Sequence, residues 1–391
     1  MYDAVIVGAG PAGLCTGGML AKAGWSVCIV DRRRQIGLPV RCGEATGNRE
    51  ELARFLPVDE AWIAGDVRGF ALHHLGDVSL AVDMPDAGVV LHRDRFEQAL
   101  AEQARRSGAE ILLETPVTGL APGGEAAGGV VCAGGRVIEG GVVVGADGPE
   151  SNVGRWAGIT GPLALREVGT SAQYRVRSGA FHDGRLHFFM GESIIAEGYL
   201  WVFPKSPDEL SVGVGSSAYG PGQRRPLEAL DAFIAGNMAG AEKSSLITGA
   251  VPLAISPRKL HRGNVLVVGD AARQVNPLSG GGIMNSLSAS SEAVAALLGR
   301  RRGQAWETAL GRYDRAWDRR YRRTQKVYLL LKESFYKGSD AKMERMFHEI
   351  RAAFPGTIDR SVFKNFPVLK ILKISLSFMP EFGRTLPVLF R

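Results

Sequence analysis

The sequence lacks the features that mark a membrane-spanning or secreted protein. No uninterrupted apolar run approaches the roughly 18 residues of a spanning helix, and the first apolar run, after Asp3, is too short for a signal peptide. The four cysteines, at positions 15, 28, 42 and 132, have no C-x-x-C spacing. That usage is typical of a reducing compartment. We therefore expect a cytoplasmic protein, with peripheral contact to the cytoplasmic membrane face left open.

Patterns for metal binding and for repeat architectures are also missing. His73, His74 and His187 have no metal-ligand spacing, and no cysteine has a histidine pattern nearby. Low-complexity tracts and repeats of fixed period are absent as well. The sequence therefore predicts no metal site. Its 391 residues are enough for two or three domains, each with its own core.

Positive charge is concentrated in the last quarter of the sequence. Residues 300–391 hold 21 Lys and Arg against 9 Asp and Glu, whereas the whole chain carries a net charge of +7. Basic and apolar residues alternate there, as at 319–323 and 368–379, which is typical of a surface lying on an anionic membrane. A solvated helical cap is the alternative. We expect no nucleic-acid partner, because no DNA- or RNA-binding module is recognisable.

The first 31 residues carry the most informative motif. An apolar strand at 3–7 is followed by Gly8, Gly10 and Gly13, a helix over 12–23, and a second strand over 25–30 that ends in Asp31. This is a β-α-β unit whose glycines allow a tight turn and close approach of a pyrophosphate to the helix N-terminus. Asp31 is placed to accept hydrogen bonds from the ribose hydroxyls. The alternative is a glycine-rich turn in an ordinary α/β fold.

Two later segments repeat the pattern of a buried strand that ends in glycine and aspartate. Strand 142–144 leads into Gly145-Ala146-Asp147-Gly148, and strand 265–268 leads into Gly269-Asp270-Ala271-Ala272, with a small-residue helix over 282–298. Residues 167–214 between them read mainly as β-strands. We therefore predict one nucleotide-binding domain assembled from separated segments, with a mostly antiparallel sheet inserted. NAD-only binding would leave the second and third segments unexplained.

With these three segments the chain resembles the glutathione-reductase-type FAD proteins, in the branch shared with aromatic hydroxylases. The resemblance implies that Asp270 binds the ribitol chain of FAD and that backbone N–H groups of the third glycine segment lie near the flavin pyrimidine. It also implies that Arg93 reaches the cofactor. The predicted FAD-binding residues are Gly8, Gly10, Pro11, Ala12, Gly13, Asp31, Arg32, Arg41, Cys42, Gly43, Arg93, Asp147, Gly269, Asp270, Pro277, Gly280, Gly281, Gly282 and Ile283.

Two further segments resemble the geranylgeranyl reductases. The segment Tyr199-Leu200-Trp201-Val202-Phe203-Pro204 matches their Tyr-x-Trp-x-Phe-Pro signature, and Arg41-Cys42-Gly43-Glu44 is similar to the Cys-Gly segment placed against the flavin. The similarity extends over nearly the whole chain, including Ser339-Asp340 and the basic tail. It implies that Cys42 and Gly43 lie at the flavin and that Cys42 donates or orients a proton.

The aromatic residues of the signature alternate along a strand, so we expect them on one face of a sheet. Alternation alone favours a sheet face packed on its own core, whereas the family resemblance favours a wall for a long apolar chain. The predicted substrate residues are Tyr199, Trp201, Phe203, Pro204 and Phe189. The predicted catalytic residues are Cys42, Gly43, Trp201 and Tyr199.

The chain departs from the family pattern at three positions. Ala196 stands where the signature has proline, and Gly281 stands where the third glycine segment has an acid. Asp31 stands where FAD enzymes more often use glutamate. Because Gly281 is expected close to the flavin, we expect that proton delivery or the choice of electron donor differs from that of the family.

The predicted fold class is α/β, with a Rossmann-like FAD-binding domain, an inserted mostly antiparallel substrate domain and a helical C-terminal region. The FAD-binding domain is expected to comprise 1–75, 93–165 and 250–299, the substrate domain 76–92 and 166–249, and the basic helical region 300–391.

The resemblance implies reduction of C=C bonds in a geranylgeranyl or polyprenyl chain, by hydride transfer from reduced FAD and protonation. We expect the electron donor to be NADPH or a ferredoxin-like protein, and the sequence does not decide between them. An aromatic-ring monooxygenase and a non-enzymatic prenyl-binding chaperone share the fold and remain the alternatives.

Overall fold

Two eight-stranded sheets organise the computed structural model, which describes residues 1–74, 77–123, 126–220, 222–301, 303–336 and 339–353. The strands are β1 (Tyr2–Val7), β2 (Val27–Val30), β3 (Ala45–Thr46), β4 (Ile63–His74), β5 (Asp77–Leu91), β6 (Glu110–Leu112), β7 (Val117–Gly123), β8 (Ala126–Cys132), β9 (Val137–Gly145), β10 (Val168–Arg177), β11 (Arg185–Gly191), β12 (Ile195–Pro204), β13 (Glu209–Ser216), β14 (Glu242–Pro252), β15 (His261–Arg262) and β16 (Val265–Val267). The α-helices are α1 (Pro11–Lys22), α2 (Arg49–Ala53), α3 (Arg93–Arg106), α4 (Asn152–Trp156), α5 (Pro226–Asn237), α6 (Ile283–Leu298), α7 (Trp306–Trp317), α8 (Arg323–Tyr336) and α9 (Asp340–Ala353). Short 3₁₀ turns lie at Glu60–Trp62, Ala133–Gly135, Leu165–Glu167 and Gly269–Ala272, and a π-helical turn lies at Asp318–Arg322.

The first sheet is built on parallel strands in the order β16-β9-β1-β2-β6, with β15 at one edge and the β7–β8 hairpin joined to β9. Both faces are covered, which explains why β1 and β2 are continuous apolar runs. Ala4 and Ile6 face α1, α3 and α6, whereas Val5 and Val7 face the hairpin and α4. The predicted Rossmann-like unit is therefore present.

Close backbone approach explains two glycines of the first loop. Gly8 has φ 108°, and a Cβ there would lie 2.2 Å from the carbonyl oxygen of Ala146. A Cβ on Gly13 would lie 1.8 Å from the carbonyl oxygen of Gly8. Side chains at these positions would therefore push β1, α1 and the loop after β9 apart, as the glycine spacing predicts.

The second sheet has the order β14-β10-β13-β12-β11-β4-β5-β3, and all its pairings are antiparallel except that of β11 with β4. One face packs on α5 through Leu200 and Val202, and the opposite face carries Trp201 and Phe203. The expected alternation along β12 is therefore correct, and it separates a structural face from an aromatic face.

The second sheet begins earlier in the sequence than expected. Residues 63–74 form β4, which pairs with β5 and β11, although the predicted boundary assigned residues up to 75 to the FAD-binding domain. Residues 45–46 add β3 to the same sheet. The reason is that β4 and β5 form one long hairpin, so a boundary between them would separate hydrogen-bonded partners.

The helices after residue 303 pack on both sheets. Tyr313 and Trp317 of α7 are buried against the helix layer of the first sheet, and α9 contributes Met343, Met346 and Phe347 to a cluster on the second sheet. The expectation of a helical region holds as far as residue 353. The apolar and basic segment at 368–379 lies outside the described residues.

We expect Tyr313→Phe to lower the free energy of unfolding by about 1–3 kcal/mol. The Tyr313 hydroxyl is fully buried, donates to the Val267 carbonyl oxygen at 3.0 Å and accepts from Gln274 Nε2 at 2.8 Å. Phenylalanine would leave both partners buried without a hydrogen bond. Urea unfolding of the purified variant measures the change.

The matched control is Tyr219→Phe, because Tyr219 is 42% exposed and its hydroxyl donates to the Val168 carbonyl oxygen near solvent. We expect that variant to stay within about 0.5 kcal/mol of the wild type. Equal losses in the two variants would contradict the account.

Candidate active site

The N-terminus of α1 is open to an anion. Gly10 is its N-cap residue and Pro11 its first residue, and the first turn contains no acidic side chain. A Cβ on Gly10 would meet no other atom within 4 Å. The first N–H groups of the helix have no partner within it, and the space beside Gly10 is open, which fits a pyrophosphate at the positive end of the helix dipole.

Asp31 is held at this loop by more partners than the sequence indicated. Its carboxylate accepts from the Ala9 N–H at 2.6 Å and from the Arg33 backbone N–H and guanidinium at 2.7–3.0 Å. Burial raises the pKa of Asp31, but these hydrogen bonds and the Arg33 charge lower it by more, so the net shift of the pKa is downward. Asp31 stays ionised beside the glycine loop. Arg32 lies at the surface instead, 3.2 Å from Glu150.

A line of charged side chains connects Asp31 with Cys42. The buried carboxylate of Glu97 lies 3.3 Å from the Arg33 guanidinium and 2.8 Å from Nε of Arg93, one turn away on α3. The guanidinium of Arg93 faces Cys42 and Asp270. Burial lowers the pKa of Arg93, but Cys42 and Glu97 raise it more. Arg33 and Glu97 had no sequence signal, because the line forms only when α3 packs beside β2.

Loop 41–44 brings the predicted cysteine and glycine to the aromatic face. Cys42 is half-buried, and its Sγ accepts from the Glu44 N–H at 3.2 Å. A Cβ on Gly43 would lie 3.1 Å from Cε2 of Phe203 and 3.2 Å from Nε1 of Trp201. The backbone at Gly43 therefore packs directly against the aromatic rings. The side chain of Arg41 is exposed, and its carbonyl oxygen accepts from Arg93 at 3.4 Å.

The aromatic wall consists of Tyr199, Trp201, Phe203 and Phe188. Neighbouring ring centroids lie between 5.3 and 6.2 Å apart, and Trp201 and Phe203 are 7% and 6% exposed. Nε1 of Trp201 is buried without a hydrogen-bond partner among the described residues. Trp201 and Phe203 are therefore packed in an apolar layer beneath loop 41–44, whereas Phe188 and Tyr199 of the same wall are partly exposed.

Phe189, also a predicted substrate residue, does not lie on this wall. Phe188 is paired with Trp201 across β11 and β12, so Phe188 shares its face and Phe189 points to the other. Phe189 stacks on His73 at 4.2 Å between centroids and packs edge-on against Phe233 of α5.

Tyr199 links the wall to the third glycine segment. Its hydroxyl donates to the Ser279 carbonyl oxygen at 2.5 Å, and its ring centroid lies 6.3 Å from that of Tyr336. Tyr336 donates to the neighbouring Leu278 carbonyl oxygen at 2.6 Å. Burial raises the pKa of both tyrosines, so both hydroxyls stay protonated donors. Tyr336 lies in a helix with no motif, which is why the sequence did not indicate it.

The segment around Pro277 and Gly280 forms a closed turn. The Gly280 N–H donates to the Asn276 carbonyl oxygen at 2.8 Å and the Gly281 N–H to Oγ of Ser279 at 3.2 Å. The donors expected from these two glycines are therefore used within the turn. The first N–H groups of α6, which begins at Ile283, have no partner within the helix.

Two aspartates lie near helix N-termini: Asp270 is beside Gly282, just before α6, and Asp147 is at the start of α4. Asp270, in the turn Gly269–Ala272, has no hydrogen bond to its carboxylate among the described residues, and burial raises its pKa although Arg93 lowers it. Oδ2 of Asp147 accepts from the Val153 N–H at 2.9 Å, whereas Oδ1 is buried without a described partner. Burial raises the pKa of Asp147 too.

These residues fit FAD. An open helix N-terminus with Gly10 suits the pyrophosphate, and the unpartnered Asp270 carboxylate suits hydroxyls of the ribitol chain. The Asp31 carboxylate lies at the same loop, where it already accepts four hydrogen bonds from Ala9 and Arg33. No group of three or more metal-ligating side chains is found in the part of the chain that the structure describes. Over the same residues, no helix is long and apolar enough to cross a membrane.

Two protein-family models match the chain. The FAD binding domain model matches residues 1–183, and the geranylgeranyl reductase catalytic domain model matches residues 167–252, which contain the aromatic wall of β11 and β12.

Curated relatives and a solved structure are similar along almost the whole chain. Digeranylgeranylglycerophospholipid reductase 1 of Methanococcoides burtonii is 33% identical over 364 residues, 90% of this chain and 88% of the relative. The digeranylgeranylglycerophospholipid reductase of Methanosarcina acetivorans is 32% identical over 369 residues, with 90% and 89% covered. A geranylgeranyl bacteriochlorophyll reductase-like protein from Thermoplasma acidophilum superposes with a TM-score of 0.86 at 26% identity over 99% of both chains. The chain therefore belongs to the geranylgeranyl reductase family, as its Tyr-x-Trp-x-Phe-Pro segment predicts, and is an FAD-dependent oxidoreductase.

Proposed function

We propose that this protein reduces C=C bonds in the geranylgeranyl chains of a digeranylgeranyl glycerophospholipid. The observation that carries the proposal is the contact of Gly43 with Trp201 and Phe203, which brings the Cys42 loop onto an apolar aromatic wall. Curated relatives that match 90% of the chain are named for reduction of this lipid, which supports the substrate class.

The protein supplies the apolar surroundings that the reaction needs. Reduced FAD, when bound, supplies a hydride to one alkene carbon. An isolated alkene accepts hydride poorly, so the site must exclude water and stabilise partial positive charge. Trp201 and Phe203, both nearly buried, exclude water beneath loop 41–44, and the partly exposed rings of Phe188 and Tyr199 are available to face that charge.

Cys42 is the proton donor of the proposed reaction. Its thiol gives a proton to the second alkene carbon, so that hydride and proton together saturate one C=C bond. The thiolate that remains is stabilised by the Glu44 N–H at 3.2 Å and by the Arg93 guanidinium that faces it. Tyr199 stays protonated and holds the turn at Ser279 rather than donating to substrate.

The purified holoenzyme tests this function directly. Its flavin is reduced with dithionite without oxygen and mixed with digeranylgeranylglycerophospholipid, and the lipid mass is then measured. We expect a gain of two hydrogens for each reduced bond, and no flavin reoxidation with the matching saturated lipid. Bound flavin with unreduced lipid would contradict the proposal; NADPH-dependent oxygen uptake with an aromatic substrate would favour a monooxygenase, and a colourless protein would favour a prenyl-binding chaperone.

Cys42→Ala is expected to retain FAD and to lower turnover by about 100-fold or more, the usual contribution of a positioned general acid. The FAD-binding contacts at Gly10, Asp31 and Asp270 are unchanged by this substitution, so the visible spectrum and FAD affinity are the controls. Turnover and product pattern equal to those of the wild type would remove Cys42 from the mechanism.

We further propose that the exposed arginines around the π-helical turn contact anionic lipid headgroups. Arg312, Arg315, Arg319, Arg320 and Arg323 are exposed on consecutive turns from α7 to α8. A lipid substrate requires access to a membrane surface, and basic side chains there are attracted by anionic lipids at about 1 kcal/mol each.

Replacing Arg315, Arg319 and Arg323 with serine should therefore weaken binding to phosphatidylglycerol vesicles by about 3 kcal/mol in total. Co-sedimentation at low and high salt measures the effect, with neutral phosphatidylcholine vesicles as the control. Equal binding of wild type and variant to anionic vesicles would exclude this surface.

A further inference from the structure

A buried group of charges lies behind loop 41–44. The Glu44 carboxylate is fully buried and contacts Nζ of Lys205 at 2.9 Å and the Arg175 guanidinium at 2.5 Å. Its other oxygen accepts from the Arg93 backbone N–H at 3.2 Å. Lys205, itself 2% exposed, also donates to the Leu91 carbonyl oxygen at 2.6 Å.

The backbone of Glu44 is strained, and both its N–H and its carbonyl oxygen form hydrogen bonds. Its φ of 72° lies in the left-handed region, which costs a residue with a side chain about 1 kcal/mol or more. In that conformation its N–H donates to Sγ of Cys42 at 3.2 Å, and its carbonyl oxygen accepts from the Leu91 N–H at 3.0 Å. The side-chain contacts of Glu44 therefore hold a conformation that places a donor on the Cys42 sulfur.

These contacts join elements that are distant in the sequence. Leu91 and Arg93 lie where β5 meets α3, Arg175 lies in β10, and Lys205 directly follows β12. Strand β12, which carries Trp201 and Phe203, is therefore followed directly by Lys205, the residue that binds Glu44 of the Cys42 loop. A shift of Lys205 would move the loop and the aromatic wall relative to each other.

Stability alone does not account for this arrangement. Burial and the neighbouring Arg175 lower the pKa of Lys205, and the Glu44 carboxylate opposes that shift without reversing it. A buried ion pair of this kind is often no more stable than apolar residues of equal volume, but it admits few alternative geometries.

We propose that Glu44 and Lys205 are positioning residues for Cys42: their ion pair fixes Sγ between the Glu44 N–H and the Arg93 guanidinium. The inference rests on the proposed function in that Cys42 is the proton donor there. The ion pair is expected to control the position and the acidity of the Cys42 thiol, and both can be measured without turnover.

The experiment is the pH dependence of Cys42 alkylation by iodoacetamide in the holoenzyme. Cys15, Cys28 and Cys132 are at most 4% exposed and react slowly, so the fast phase reports Cys42, and Cys42→Ala must abolish it. The charged and titratable groups that face this thiol are Arg93 on α3, Tyr199 on β12 and Glu44 in its own loop.

We expect Lys205→Met to raise the pH midpoint of alkylation, because the thiolate loses its fixed surroundings, and this slows the reaction about three- to tenfold at neutral pH. Glu44→Gln also removes a carboxylate that faces the thiol, an effect of opposite sign, so its midpoint should move less than that of Lys205→Met. FAD content should be retained. Lys205→Met keeps the Glu44–Arg175 pair and therefore folds even if Glu44→Gln, which leaves two buried cations, does not.

The control is Asp314→Asn, which weakens the pair of Asp314 with the buried His261 at 3.2 Å between α7 and β15. It should lower the urea midpoint of unfolding without moving the alkylation profile. An unchanged profile in Lys205→Met would overturn the proposed positioning, even if the lipid is reduced. A shifted profile in a protein that reduces no lipid would support the positioning while the proposed function fails.

Discussion

The buried carboxylate of Glu44 is the contact on which the geometry of the site depends. It contacts Arg175 of β10, Lys205 directly after β12 and the Arg93 N–H at the start of α3, so the second sheet and α3 are joined at one side chain. Loop 41–44 has no regular hydrogen-bonded structure of its own. The position of Cys42 and Gly43 against the aromatic wall therefore follows from this junction rather than from local propensity.

Two different environments meet at the loop. On one side Asp31, Arg33, Glu97 and Arg93 form a continuous line of ion pairs that ends at Cys42 and Asp270. On the other side the rings of β11 and β12 exclude water. Reduction of an isolated alkene needs both, because charge moves in the reaction while the substrate is hydrocarbon.

Local constraints could be predicted from the sequence, whereas pairing between distant segments could not. Gly8 and Gly13 follow from a turn of six residues, and the shared face of Trp201 and Phe203 follows from alternation in one strand. The sequence did not show that Phe189 faces away from the wall, because its orientation is set by the register of β11 on β12. Glu44 and Lys205 are 161 residues apart and each resembles an ordinary surface charge in the sequence. The pairing of β4 with β5 and β11 could not be predicted either, because apolar alternation in β4 does not say which sheet it joins.

The most direct measurement is a crystal structure of the FAD-bound protein. The account predicts an isoalloxazine ring in contact with Gly43 and the N-terminus of α6, with Asp270 hydrogen-bonded to the ribitol chain and Sγ of Cys42 facing the space beside Trp201. A flavin ring bound away from loop 41–44, with Cys42 turned from that space, would contradict it.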